Sequence, residues 1–280
     1  MSEVKTSPAA SIDLIDESFD PKKSNTYHLS MLSNGKKLSY AILDTNTNKY
    51  LVLSSQTETF PKFETLEKLG SNFKSVTCAV AHPKFTLIPS ALFDIENKNS
   101  LLAFNHPIEK GEKTHSDTLR GMDAKNLFTI SEELESAVKK QFPKAHVVHN
   151  STAFIEGLLL QNKNSRHKKV FANLHSNYFE IVILEGGELL FSNAFQYKTA
   201  EDIAYYILFV YEQLHLNPEE IELTLSGEIE KTAQEHTLLY NYIRHVKFAS
   251  FPDSFKYSYK FEDVPSHKFW TLFTQYLTTA

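Results

Sequence analysis

Glycine is scarce in this chain. There are eight in 280 residues, less than half the roughly 7% of ordinary proteins. Phosphate-cradling loops use glycine because only a bare backbone can approach the anion closely and reach positive φ, so few such loops can exist here. Cysteine is scarcer still: Cys78 is alone and sits in an apolar run, so no internal disulfide forms and a reducing compartment is expected. Lys and Arg number 29 against 34 Asp and Glu, which argues against a nucleic-acid partner, since that needs a basic footprint. No apolar run reaches the roughly 18 residues of a membrane-spanning helix, so stable membrane insertion is not expected. Residues 1–24 carry Glu3, Asp13, Asp16, Glu17 and Asp20 without an apolar stretch. They read as a polar leader rather than a signal peptide, and a cytoplasmic location follows. Asn150-Ser151-Thr152 fits a glycosylation acceptor, which without a secretory signal is a chance match.

Several catalytic signatures are missing too. Twelve histidines include no HxH or HExxH, and His146 and His149, three apart on an expected strand, point to opposite faces. His106 and His115 flank an expected surface loop, His106 to Lys113. No G-x-S-x-G elbow occurs, and Cys78 reads as core. No metal site is expected.

What is present suits a large folded chain. Hydrophobic residues make up 41%, and 280 residues exceed the usual single domain, so two domains are expected. Tyr27 to Leu32 reads as a strand and Asn34-Gly35 as a hairpin turn. Leu38 to Leu43 and Tyr50 to Leu53 read as strands, Leu66 and Leu69 as part of a short helix, and Val76 to Ala81 as a buried strand. The order β-β-β-α-β recurs from Lys169. Val170 to Leu174, Phe179 to Leu184 across Ser176-Asn177, and Leu189 to Phe191 across Gly186-Gly187 are strands. A helix follows over Thr199 to Leu216, then a strand over Ile221 to Leu225. Recurrence at this length indicates a duplicated domain. Between the repeats, Phe85 to Pro89 and Leu127 to Ile130 read as strands, Ala91 to Phe104 as helical, and Ser131 as the N-cap of another helix. We place one lobe at 25–162 and the second at 163–280. Phe255 to Phe261 alternates and predicts a strand with four aromatics on one face. Phe269, Leu272, Phe273, Tyr276 and Leu277 predict a C-terminal helix packed back on the body.

The repeated unit resembles the actin-like ATPases, which are duplicated ribonuclease H-like α/β folds. The segments from Ile15 to Asp20, Tyr27 to Ser30, Ala81 to Pro89 and Ile207 to Leu214 are similar to a bacterial family of uncharacterised proteins with that fold. The resemblance implies a nucleotide-binding turn in the first hairpin of each lobe, with aspartates holding Mg²⁺ and backbone N–H groups holding phosphate. Here Leu29 to Lys37 contains no carboxylate. Asn173 and His175 stand where Asp and Gly are implied, and the later glycine pair survives only as Ser226-Gly227. An interlobe cleft lined by Ser33, Asn34, Asn173, His175, Ser176, Asn177 and Gly227 is expected as the ligand site. No catalytic residue and no cofactor is expected there, although the fold leaves ATP and Mg²⁺ open. The sequence thus predicts a pseudo-ATPase, a non-catalytic scaffold for an unidentified protein partner. Two alternatives stay open. One is a divergent ATPase or sugar-kinase-like phosphotransferase using Asp44, Glu180 or Glu185. The other is an adaptor in a pilus- or cell-division-type assembly.

Overall fold

The computed structural model describes residues 11–35, 37–56, 66, 68–70 and 72–278. It divides into two compact units. The described part of the first runs to Gly157 and takes in Pro252–Val264 and the segment from Leu272; the second comprises Leu158–Phe251 and Pro265–Thr271.

The first unit is built on a mixed sheet of β1 (Ile12–Ile15), β2 (Tyr27–Ser33), β3 (Leu38–Asp44), β4 (Lys49–Gln56), β5 (Ser75–Val80) and β9 (His146–His149), in the order β1-β4-β3-β2-β5-β9. Strands β2, β3 and β4 are antiparallel neighbours, whereas β5 and β9 add in parallel. Runs such as Ala41-Ile42-Leu43 and Val52-Leu53 are fully buried, as expected where a sheet is covered on both faces. The short helix expected at Leu66 and Leu69 falls mostly outside the described residues, although both leucines are buried.

Inserted between β5 and β9 is a smaller antiparallel sheet of β6 (Phe85–Pro89), β7 (Glu112–Leu119) and β8 (Ala124–Ser131), in the order β6-β8-β7. With it come helices α1 (Lys98–Ala103) and α2 (Glu132–Gln141), and α3 (Asn150–Asn162) follows β9. Ser131 Oγ caps α2 by accepting from the Leu134 N–H at 3.4 Å. Glu132, Glu133 and Glu135 occupy its first turn and Lys139 and Lys140 its last, both signs favourable to the helix dipole. Leu134 and Val138 fill the core beneath it.

The second unit repeats the plan. Strands β10 (Lys169–Leu174), β11 (Tyr178–Glu185), β12 (Glu188–Gln196), β13 (Leu223–Gly227) and β14 (Val246–Phe248) lie in the order β12-β11-β10-β13-β14. That is the order β4-β3-β2-β5-β9, strand for strand, with the same antiparallel and parallel pairings. The fold is therefore a duplicated, ribonuclease H-like α/β fold. Gly186 and Gly187, at φ 61° and 82°, form the two-residue turn between β11 and β12, where both central residues need positive φ. Helix α4 (Ala200–Gln213) opens with a capping box between Thr199 and Asp202. It buries Ile203, Ile207, Val210 and Tyr211, each contributing about 1.5–3 kcal/mol through lost apolar exposure. Helix α5 (Gln234–Tyr242) follows β13.

Three expectations need correction. Glu112 and Lys113 are not loop but the start of β7, and the preceding residues are tied down by Lys84, whose ammonium meets Glu109 at 2.8 Å and Glu112 at 3.1 Å. The region 91–104 is helical only over the short turn at Ser90–Leu92 and in α1. The aromatic alternation over Phe255 to Phe261 does not make a long strand. Only Lys256–Tyr257, β15, pairs with β4. Ser258 Oγ then accepts from the Lys260 N–H and turns the chain into a 3₁₀ helix over Tyr259–Phe261. That turn leaves Tyr259 61% exposed while Phe255 and Phe261 are buried. Their anchor is Tyr50, which stacks on Tyr257 at 5.7 Å, meets Phe273 edge-on at 4.7 Å, and donates its hydroxyl to the Phe273 carbonyl at 2.6 Å.

The C-terminal segment is a 3₁₀ turn over Ser266–Phe269, a short helix α6 (Trp270–Thr274), and a second 3₁₀ turn over Gln275–Thr278. Thr274 sits where Gly157 of α3 has no side chain: a Cβ there would lie 2.8 Å from the threonine Cβ. Gly157→Leu is therefore expected to dislodge residues 272–278, lowering stability by about 2–3 kcal/mol and exposing Phe273 to quencher. Unchanged Trp270 and tyrosine emission in the variant would contradict that seating.

Candidate functional site

The first hairpin of each unit carries the residues singled out by sequence. In the first unit, Ser33 ends β2 and is buried. Its carbonyl accepts from the Ala81 N–H at 2.8 Å, and its hydroxyl from the Gly35 N–H at 3.2 Å. Asn34 Oδ1 accepts from the Lys37 N–H at 2.8 Å. Both side chains thus close their own turn. Asp44 lies at the opposite end of this hairpin, capping the next turn through Asn46 N and Thr47 Oγ1.

In the second unit, β10, β11 and β13 converge on a denser cluster. Asn173 is the cross-strand partner of Glu180 on β11 and of Ser226 on β13. All three are buried, as is His175. Ser226 Oγ donates to Asn173 Oδ1 at 3.1 Å. His175 Nε2 sits 3.2 Å from Asn173 Nδ2 and 3.3 Å from Glu180 Oε1. A single tautomer cannot serve both, because an unprotonated Nε2 accepts from the amide whereas an Nε2–H donates to the carboxylate. The imidazole stacks flat on Tyr178, with centroids 4.3 Å apart at 10°, and the Tyr197 hydroxyl donates to the His175 carbonyl. Burial pushes the Tyr178 and Tyr197 hydroxyls upward in pKa, the latter to about 12, so both are neutral phenols.

Gly227 completes the cluster at φ 84°. A Cβ on it would lie 2.1 Å from the Leu174 carbonyl oxygen and 2.8 Å from Asn173 Oδ1. The bare backbone is needed for β13 to meet β10 rather than for an outside ligand. Ser176 and Asn177 lie on the exposed turn, where the Asn177 carbonyl accepts from Tyr197 N. Asn173, His175 and Gly227 are thus brought together with Ser226 and Glu180, while Ser176 and Asn177 stand apart. Glu185, at the far end of the β10–β11 hairpin, is exposed and 3.7 Å from Lys168. Of the three carboxylates considered for metal chemistry, Glu180 alone lies beside Asn173 and His175. Among the described residues no group of three His, Cys, Asp or Glu side chains could hold a metal ion.

A second polar centre escaped sequence reasoning. Asp117 on β7 is buried, and its Oδ2 accepts from the His149 N–H at 2.8 Å and the Thr152 hydroxyl at 2.7 Å. Asn126 Nδ2 donates to Ser151 Oγ and Thr152 Oγ1. His149 Nδ1 accepts from the Ser151 N–H at 3.1 Å, so Nε2 carries the proton and donates to the His82 carbonyl at 2.8 Å. Burial raises the Asp117 carboxyl to about 7, against the lowering effect of these two hydrogen bonds. The same burial of Asn150, Ser151 and Thr152 removes them as a glycan acceptor.

A sheet order repeated strand for strand, with its site turns at the same hairpin, defines an actin-like ATPase fold. The chain belongs to the family described as protein of unknown function DUF3822, whose profile matches residues 16–246. Among solved structures it is similar to a Bacteroides thetaiotaomicron protein with an actin-like ATPase fold and unknown function. The identity is 26%, the coverage 82% of this chain and 93% of that one, and the TM-score 0.72. The PilM–PilN type IV pilus biogenesis complex shares the fold at 11% identity, with 90% and 98% of the two chains covered and a TM-score of 0.56. No curated protein matches the chain in sequence. Among the described residues no helix is long and apolar enough to cross a membrane.

Proposed function

We propose that this protein is a non-catalytic actin-like module, a pseudo-ATPase of the bacterial cytoplasm that works by binding another protein. The observation that carries this reading is the occupation of the second unit's first turn by its own side chains. Asn173, His175 and Tyr178 bond and stack among themselves there, and the Gly227 backbone is pressed against Leu174 and Asn173. Phosphate capture needs inward-pointing N–H groups and Mg²⁺ needs carboxylates. In the first unit, Ser33 and Asn34 cap backbone N–H groups of their own turn. A fold neighbour found in a PilM–PilN pilus biogenesis complex supports a role in protein assembly, and an adaptor in such an assembly is the form we favour. ATP and Mg²⁺ are not its cofactors in this reading.

Isothermal titration with Mg·ATP and Mg·GTP is expected to give no heat of binding up to millimolar nucleotide. Micromolar affinity accompanied by phosphate release would overturn the proposal.

A divergent phosphotransferase is the second reading, and one observation favours it: Glu180 is a buried carboxylate 3.3 Å from His175 at the turn itself. That reading predicts Mn²⁺ binding, detected by water-proton relaxation and lost at least tenfold in Glu180→Gln. The scaffold reading predicts no enhancement in either protein.

A further inference from the structure

In the second unit, β12 pairs with β11 on one side, and among the described residues no strand pairs with it on the other. The equivalent edge of the first unit, that of β4, is taken by β1, which lies antiparallel on it. The phase of β12 follows from the Tyr197 N–H, which donates to the Asn177 carbonyl at 3.1 Å, and from the register that sets Gln196 opposite Tyr178. The peptide groups of Phe195, Asn193 and Phe191 therefore turn to β11, and those of Gln196, Ala194 and Ser192 turn outward. None of these three residues is buried, so the edge is open. The Ala194 N–H, with no strand to receive it, bonds to Asn193 Oδ1 at 2.8 Å.

Exposed sheet edges are normally blunted by charge, by proline or by shortness. From Leu189 to Tyr197 this edge carries no charge, proline or glycine. An aromatic strip runs beside it. Tyr206 of α4 stacks on Phe195 at 4.8 Å, and Tyr205 meets Tyr206 edge-on at 5.3 Å and stacks on Phe209 at 6.2 Å. Tyr205 is 64% exposed, Phe209 43%, and Leu190 on the strand 45%. Apolar surface left open beside an unblunted edge marks an interaction site.

Charge selects the occupant. Glu188 closes one end of the uncharged run and Lys198 the other. The other charges at those ends are engaged: Glu185 lies 3.7 Å from Lys168, Asp202 accepts from the Lys198 and Thr199 N–H groups, and Glu201 accepts from Gln234. Such a strand complements itself when antiparallel, because the acidic end of one copy lies against the basic end of the other. A parallel copy would set like charges together. Outward peptide groups must also meet outward peptide groups. Both conditions hold for a two-fold axis at Asn193, midway between Glu188 and Lys198, which pairs Ser192 of each copy with Ala194 of the other.

We infer that β12 pairs antiparallel with β12 of a second copy of this chain, about a two-fold axis at Asn193, joining the two five-stranded sheets into one. The Asn193 side chain would release the Ala194 N–H to the Ser192 carbonyl of the other copy. The axis is perpendicular to the sheet, so both α4 helices lie on the face that carries Phe195, and their aromatic strips are brought together. The contact is isologous, the commonest form of protein dimer. It uses no residue of the second unit's first turn, so it is independent of the proposed function.

Sedimentation equilibrium of the full chain at tens of micromolar is expected to give twice the 32.0 kDa of one chain. The Ser192, Ala194 and Gln196 amides are expected to exchange more slowly as concentration rises. Asn193→Lys and Asn193→Asp, at an exposed position, each place like charges at the axis and are expected to weaken the dimer at least tenfold. Mixing the two variants sets opposite charges there and is expected to restore it. A parent that stays monomeric overturns the inference and gives the edge to a different chain. A dimer that Asn193→Lys leaves intact overturns the assigned edge, and a mixture that stays monomeric overturns the register. If either variant unfolds at a lower temperature than the parent, the concentration dependence of the three amides in the parent decides alone. None of these results bears on nucleotide binding, so the proposed function stands or falls separately.

Discussion

Gly227→Ala is expected to be the most damaging single methyl in the second unit, lowering its stability by more than about 4 kcal/mol, in the range that marks a specific structural failure. The added Cβ would fall 2.1 Å from the Leu174 oxygen and 2.8 Å from the Leu174 nitrogen. Both are backbone atoms of the neighbouring strand, held in the β10–β13 ladder, so neither can swing aside as a side chain would. The φ of 84° adds left-handed strain of about 1–2 kcal/mol for any residue with a Cβ. Gly186→Ala is the control. Its φ is 61°, but nothing lies within 4 Å of the new methyl, so only the conformational cost of about 1 kcal/mol applies. Urea unfolding followed by amide exchange in β10 and β13 separates the two. Equal losses in both variants would mean that the close approach at Gly227 is not held by the sheet.

The second large effect concerns Asp117 and is a function of pH. Its carboxyl has an ordinary value of 3.8 and is raised to about 7 in the fold by burial. Between those values the unfolded chain releases the proton while the native chain keeps it. The unfolded state thus binds fewer protons, and stability falls as pH rises from about 4 to about 7. Three pKa units correspond to about 4 kcal/mol. Asp117→Asn mimics the protonated acid, since the amide oxygen can still accept from the His149 N–H and the Thr152 hydroxyl. The stability difference between the variant and the parent protein is expected to move in the variant's favour across that window, by up to about 4 kcal/mol. A difference that stays constant with pH would show that the carboxyl is not buried as described. Asp117→Leu should instead strand the His149 N–H and the Thr152 hydroxyl, leaving it about 3 kcal/mol less stable than Asp117→Asn at any pH.

The scaffold was legible in the sequence where burial is two-sided. Val170 to Leu174 and Phe179 to Leu184 announce themselves because a sheet covered on both faces demands continuous apolar runs. Gly186-Gly187 announces its turn because positive φ at two successive positions excludes nearly everything else. Ser131 read as a cap because its hydroxyl satisfies N–H groups that a helix leaves without partners. Strand β7 was illegible for the converse reason. Glu112 to Leu119 contains Leu119 as its sole apolar side chain, and at a sheet edge its polar groups are met by solvent, Glu135, His149 and Thr152 rather than by a core. The Phe255–Phe261 alternation misled because a period of two does not tell a strand from an extended segment that ends in a 3₁₀ turn.

The candidate site divides along the same line. Composition and local chemistry determined that the implied turn lacks its aspartates: Leu29 to Lys37 carries no carboxylate, and Asn173 stands where one is implied. Only tertiary structure decided what occupies that turn. Glu180 and Ser226 are 7 and 53 residues from Asn173 in sequence, and strand pairing alone sets them beside it. It likewise decided that Asp117 is buried against His149 and Thr152, 32 and 35 residues on. Residue identity sets what a side chain can bond or bind; hydrogen-bonded register across distant strands sets what it meets.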